Sequence, residues 1–380
     1  MNDCYNGHKV IVFALEHYNP LNMIRALGVN GIYPIYISIK RRYEVATKSK
    51  YISKLHRVDS VEEGYRLMME EYGDFPKDKL PYIVFSDDKS VGYFDLHYDE
   101  WKDRFIAFNA GSQGRINQFM DKYEIQQLAK KHGFKVLDSY VLNTKEDYIP
   151  DNLDYPVITK DISPNSGAWK SDVFICKDES ELRDAMKKIE SPKIMVQHFL
   201  DKQNEMALEG YAINHGEEMQ IVTQMTWKYL IRGYYSPYHN VCEFTDKEME
   251  KKLAGMFKEI GFEGVFEVEF LIDRDGTFYF METNFRASAW NPTGLCAGMP
   301  LPYLWIKGME NGHIDPADRK HFEPFTSMSE IIDYGKRVEG GMCSIGEWLK
   351  DFKEAKCTYI YNKDDLGPWE EACRNWDKFL

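Results

Sequence analysis

Residues 266–286 constrain this chain more than any other stretch of it. Two runs of alternating apolar and polar residues flank Asp273-Arg274-Asp275-Gly276, where the glycine supplies the positive φ that a tight turn needs. The pattern predicts a β-hairpin. An isolated hairpin is at best marginal in water, so further strands must pair with it. A side-chain period of two places Glu267 and Glu269 on one face of the first strand. The return strand brings Glu282 and Asn284 to the same face. Two carboxylates and a side-chain carbonyl form an oxygen-only donor set, suited to a hard cation such as Mg²⁺ or Mn²⁺. Arg286, two residues further on, faces the same way and has the forked geometry that holds a phosphate.

The first hundred residues alternate strand and helix signals. Residues 9–15 form a short apolar run, Asn19-Pro20 opens a helical stripe of Leu21, Ile24 and Leu27, and residues 33–39 and 81–85 read as further strands. That alternation predicts a parallel α/β sheet. From Gly111 the order changes to a polar helix at 121–131, strands at 135–143 and 155–160, a helix at 179–189, strands at 195–200, 205–213 and 219–226, and a helix at 247–260 before the hairpin. At 380 residues the chain exceeds what one core usually organises. The expected division is an α/β domain at 1–110, a second unit at 111–195, a third carrying the hairpin at 196–322, and a C-terminal extension at 323–380 whose periodicity is weak.

Composition excludes several classes. A net charge of −13 argues against nucleic acid as a partner. No apolar run approaches the roughly 18 residues of a membrane span, and the N-terminus lacks a signal-peptide pattern, so a cytoplasmic location is expected. The seven cysteines include no CxxC pair, which predicts neither a zinc site nor a disulfide framework. The Gly111–Gly114 segment lacks the third glycine and the downstream acid of a dinucleotide fingerprint.

An acidic strand followed, after an Asp-Gly turn, by Glu282-x-Asn284-x-Arg286 resembles the metal-binding hairpin of the ATP-grasp superfamily. Other landmarks of that superfamily follow in its order. Lys122, at a helix start, and Lys160, closing a strand, match its two phosphate-contacting lysines. Residues 163–170 match its phosphate-covering loop, in which Gly167 beside Ser166 lets backbone N–H groups approach phosphate oxygens. Residues 197–205 are similar to its adenine-binding linker, with Gln197, His198 and Leu200, and with Glu205 as the ribose-holding carboxylate. Residues 16–28 resemble the domain that precedes it in carboxylate–amine ligases, a D-aspartate ligase-like and carbamoyl-phosphate-synthase-like subgroup; the likeness covers about residues 8–310.

The resemblance implies an α/β and α+β protein: a Rossmann-like pre-ATP-grasp domain followed by an ATP-grasp fold of two α+β subdomains. It implies ATP and Mg²⁺ (or Mn²⁺) as cofactors, small-molecule carboxylate and amine substrates, no nucleic acid or membrane partner, and a homodimer. Glu267 stands where many relatives carry an arginine, so Arg286, Arg232 and Lys228 are the candidates for steadying the reacting carboxylate. The implied reaction is ATP-dependent amide formation through an acyl phosphate, releasing ADP and phosphate, with an amino acid such as D-aspartate as one substrate. A nucleotide-binding regulatory module without turnover is the alternative, and the Glu269 and Glu282 pair argues against it.

Overall fold

The computed structural model describes residues 2–146, 148–162, 172–231 and 236–378. Three sheets organise them. The first contains β1 (Cys4–Tyr5), β2 (His8–Leu15), β3 (Ile35–Ile39), β4 (Lys54–Val58), β5 (Tyr82–Phe85) and β6 (Ile106–Ala107). Its order is β4-β3-β2-β5-β6, all parallel, with β1 antiparallel on β2. Val10 to Ala14 are all buried, as an unbroken apolar run must be when helices cover both faces of a parallel sheet. The strand order reverses between β2 and β5, and in open α/β sheets the crevice for a ligand lies at the carboxyl ends of the strands around such a reversal.

The second sheet is antiparallel, with β7 (Ser139–Asn143), β8 (Val157–Asp161), β9 (Ile175–Cys176) and β10 (Lys193–His198) in the order β7-β10-β8-β9. It has its own small core, built on Leu142, Val157, Leu182 and Ile194.

The third sheet contains β11 (Asn204–Ile213), β12 (Glu218–Trp227), β13 (Tyr238–Cys242), β14 (Gly264–Ile272), β15 (Phe278–Asn284), β16 (Phe325–Met328) and β17 (Cys357–Thr358). Its order is β15-β14-β11-β12-β13-β16-β17. One apolar core joins it to the first sheet, with the Phe108 ring 4.9 Å from Trp305 and 5.5 Å from Phe85. β16 and β17 lie beyond residue 322, so the C-terminal extension is woven into the third sheet. Strands of four and two residues carry too little alternation for this to be visible in the sequence.

Two buried charges fasten that extension. Arg25, in the helix Tyr18–Gly28, donates to Asp365 Oδ2 at 2.9 Å and to the carbonyls of Tyr359, Ile360 and Asp365 at 3.3, 2.8 and 3.0 Å. Glu330 accepts from the backbone N–H groups of Tyr359 and Ile360, both at 2.9 Å, and from that of Tyr361. No helix among the described residues is long and apolar enough to cross a membrane, and all seven cysteines are free thiols.

Candidate active site

The hairpin forms β14 and β15, with Glu267 opposite Asn284 and Glu269 opposite Glu282. On its other side β14 pairs with β11, which sets Glu209 opposite Glu267 and Ala207 opposite Glu269. Residues directly opposite one another share a face. One face therefore carries two rows across three strands, Glu209–Glu267–Asn284 and Ala207–Glu269–Glu282. Asn284 Nδ2 donates to Glu267 Oε2 at 3.0 Å and Glu269 Oε1 at 3.3 Å. Arg286 joins this face to the first sheet. Its Nη1 donates to Glu267 Oε2 at 3.3 Å, while Nε and Nη2 fork onto the carboxylate of Asp88 at 3.1 and 3.3 Å. Asp88 opens the helix Asp88–Leu96 just after β5, at the carboxyl edge of the parallel sheet.

Two lysines reach the same place from elsewhere. Lys122 is the first residue of the helix Lys122–Lys131, capped by Asp121, and its Nζ lies 3.4 Å from Glu282 Oε2. Lys160, near the end of β8, donates to Gln197 Oε1 at 2.8 Å and lies 3.7 Å from Met281 Sδ. Gln197 in turn donates to Gln126 Oε1 at 2.9 Å. Gln197 is thereby the partner of Lys160 in this structure. Its neighbour His198 contacts the Asp154 carbonyl at 3.1 Å, Leu200 is half-buried, and Glu205 at the start of β11 meets Lys202 Nζ at 2.5 Å. Lys228 follows β12, two strands from β14, where it is exposed with its ammonium over the Tyr238 ring. Ser166, Gly167 and the rest of 163–170, and Arg232, lie outside the described residues.

The charges polarise one another. Burial opposes ionisation of Glu282, but Lys122, Lys160 and Arg286 outweigh it and hold its pKa below the ordinary glutamate value. Glu269 gains less: burial, with Glu267 and Glu282 beside it, pushes its carboxyl well up against the pull of Arg286. Burial depresses Lys160 to about 8, with Glu282 opposing the shift and Lys122 reinforcing it. In Lys122 burial works downward, and Glu282 more than reverses it.

A divalent cation fits this donor set. Among the described residues no three carboxylate, imidazole or thiol side chains are arranged to hold a metal by themselves. The protein's own donors to such an ion would be Glu269, Glu282 and the Asn284 carbonyl, with the remaining positions left to phosphate oxygens or water. That is how Mg²⁺ is usually bound beside a nucleotide. A cation there would also relieve the mutual repulsion that raises Glu269.

Sequence reading missed three residues of the site. Asp88 and Gln126 were illegible because their partners lie far away in the chain. Glu209 left a signal: it is the one charge in an otherwise uncharged and mainly apolar run, 206–213. It is fully buried, accepts from Ser288 Oγ at 2.6 Å and Thr293 Oγ1 at 3.3 Å, and burial raises its pKa to about 8. The folded protein therefore keeps a proton that the unfolded chain releases above pH 4.5, so Glu209 costs stability as pH rises from there to about 8. Glu209→Gln removes that cost. The stability of the variant relative to wild type should climb between pH 5 and 8 by up to about 4 kcal/mol in urea unfolding. A pH-independent difference would refute a protonated Glu209.

The family model for the carbamoyl-phosphate synthase L chain, ATP binding domain, matches residues 121–310, half of the chain. The propionyl-CoA carboxylase alpha chain of Ruegeria pomeroyi is 22% identical over 218 residues, covering 53% of this chain and 32% of that one. The D-alanine–D-alanine ligase of Fusobacterium nucleatum is 26% identical over 172 residues, covering 43% of this chain and 55% of that one. The chain thus spans about a third and about half the length of these two curated relatives. The crystal structure of L-amino acid ligase from Bacillus licheniformis superposes with a TM-score of 0.64 at 12% identity, over 84% of this chain and 79% of that one, a likeness of fold. With its matched segment running from the cap of Lys122 past Arg286, this chain belongs to the family of the carbamoyl-phosphate synthase ATP-binding domain and has the ATP-grasp fold.

Proposed function

We propose that the protein is an ATP-dependent carboxylate–amine ligase that activates its carboxylate as an acyl phosphate. One observation carries this reading. Glu282 stands between the phosphate-seeking cations Lys122 and Lys160 and the metal-seeking pair Glu269 and Asn284. Lysines can lie along a polyphosphate as point charges, and metal carboxylates belong at the oxygens where charge develops. Their meeting at one residue favours the terminal phosphate as the reacting centre.

In this mechanism the substrate carboxylate attacks the γ-phosphorus in line and ADP leaves. The amine then attacks the acyl carbon, and inorganic phosphate is expelled as the amide forms. When bound, the cation spreads the negative charge of the transferring phosphoryl group. Lys122 and Lys160 hold the polyphosphate, and Arg286, fixed by Asp88 and Glu267, is aimed to steady the oxyanion. The names of the D-alanine–D-alanine ligase and the L-amino acid ligase support an amino acid as one substrate. No covalent enzyme nucleophile is required.

With a productive substrate pair the products should be ADP and inorganic phosphate, and hydroxylamine should trap the activated carboxylate as a hydroxamate. AMP and pyrophosphate would overturn the mechanism. Nucleotide binding with no ATP consumption across a broad panel of amino acids and amines would favour the regulatory alternative.

A further inference from the structure

Glu16, just after β2, is fully buried and is satisfied from within. It accepts from Tyr36 Oη at 2.8 Å, Ser38 Oγ at 2.9 Å and the backbone N–H groups of Val45, Ala46 and Thr47 at 2.5, 2.6 and 3.4 Å. This carboxylate ties residues 45–47 to the carboxyl edge of the first sheet. The preceding residues, 40–44, are thereby held across the ends of β2, β3 and β4.

A cavity of about 430 Å³ lies there, with Lys40, Arg41, Arg42, Arg57 and Lys378 on its walls. Its acids are already engaged. Glu44 takes Arg57 Nε at 2.8 Å and Nη2 at 3.1 Å, with Lys48 at 3.2 Å. Asp59 faces Lys40 at 3.6 Å. Glu371 accepts from Asn375 at 2.9 Å and Arg374 at 3.3 Å. Arg41 and Arg42 are exposed and have no hydrogen-bond or ion-pair partner among the described residues. Two adjacent unpaired guanidinium groups at the mouth of a preformed cavity are a surplus of charge with the geometry that grips an oxyanion.

The cavity and Asp88, the partner of Arg286, both lie at the carboxyl edge of the first sheet. Arg41 lines the cavity with Glu16, which precedes His17, and burial with the Arg41 charge depresses that histidine to about 4. Two residues on, the Asn19 carbonyl accepts from Asn291 Nδ2 at 3.2 Å, five residues past Arg286. The ends of β3 and β5 are two strand spacings apart, about 10 Å, within the length of a small metabolite.

We propose that this cavity is a second anion site, in which Arg41 and Arg42 hold the phosphate, or an equivalent multiply charged oxyanion, of a small molecule. That molecule is either the far end of a ligase substrate or a separate effector. Only this link to catalysis rests on the ligase reading.

The test uses the full chain saturated with Mg²⁺ and a non-hydrolysable ATP analogue, which occupies the nucleotide site out to its terminal phosphate. Inorganic phosphate is then titrated calorimetrically into wild type and the Arg41→Ser/Arg42→Ser double variant. Both side chains are exposed and unpartnered, so the variant should fold normally. Wild type should bind phosphate, and the variant should bind it at least about tenfold more weakly, with analogue affinity unchanged. Equal phosphate affinity in the two proteins, or no phosphate binding to wild type, overturns the site. Failure of the analogue to bind would count against the ligase reading instead. With a productive substrate pair, a KM raised for one substrate in the variant assigns the anion to it. Unchanged KM values alongside a lost phosphate response assign it to an effector.

Discussion

Glu282→Gln should lower turnover by about 10³-fold or more at saturating Mg²⁺ while the protein still folds. Glu282 is the carboxylate that the surrounding cations keep ionised, whereas Glu267 and Glu269 are pushed toward their neutral forms. It is thus the anion most available to a metal at neutral pH. The amide is isosteric, so packing is preserved, but the charge that would draw a cation, and that balances Lys122, is gone. The check is kcat across a Mg²⁺ titration, together with unfolding by urea. Near-normal kcat would remove Glu282 from the mechanism. A loss of kcat far larger than the accompanying fall in stability is the expected pattern, because a purely structural role would scale the two together.

Arg25→Ala should cost about 3–5 kcal/mol, the usual consequence of leaving one partner of a buried ion pair uncompensated. Here the charge left without its counter-ion is Asp365, itself 2% exposed and still bonded to Ser49 Oγ and the Lys50 N–H, and the Ile360 and Asp365 carbonyls lose the guanidinium as donor. The loss should be local before it is global. Hydrogen exchange should quicken first at 359–365, where the chain is held by Arg25 and Glu330 and by little regular structure. Replacing both partners with apolar residues, Arg25→Met with Asp365→Leu, should recover much of the stability, since the desolvation cost disappears with the pair. A loss under about 1 kcal/mol in the single variant would show that the pair is a bystander.

The part of the site that lies within one hairpin was legible, because a period of two and a glycine turn fix which residues share a face. Glu269, Glu282 and Asn284 meet in the structure as that pattern requires. Lys122 was singled out by the family resemblance, at a helix start, and it reaches Glu282. Gln197 was assigned by resemblance to the adenine-binding linker, but β-pairing decides what it meets. Its neighbours on β8 and in the helix Lys122–Lys131 turn it toward Lys160. Lys228 was grouped with Arg286 for its charge, and strand order sets it two strands away from β14.

By itself the sequence determined everything that follows from local periodicity: the parallel first sheet, the hairpin with its acidic face, and the polar helix that carries Lys122. Only the tertiary structure decided which groups stay charged. The Arg286–Asp88 pair joins residues 198 apart, and Glu209 lies beside Glu267 solely because β11 pairs with β14 in that register. Ionisation of a buried carboxyl depends on the dielectric and on charges within a few ångströms, and long-range pairing sets both.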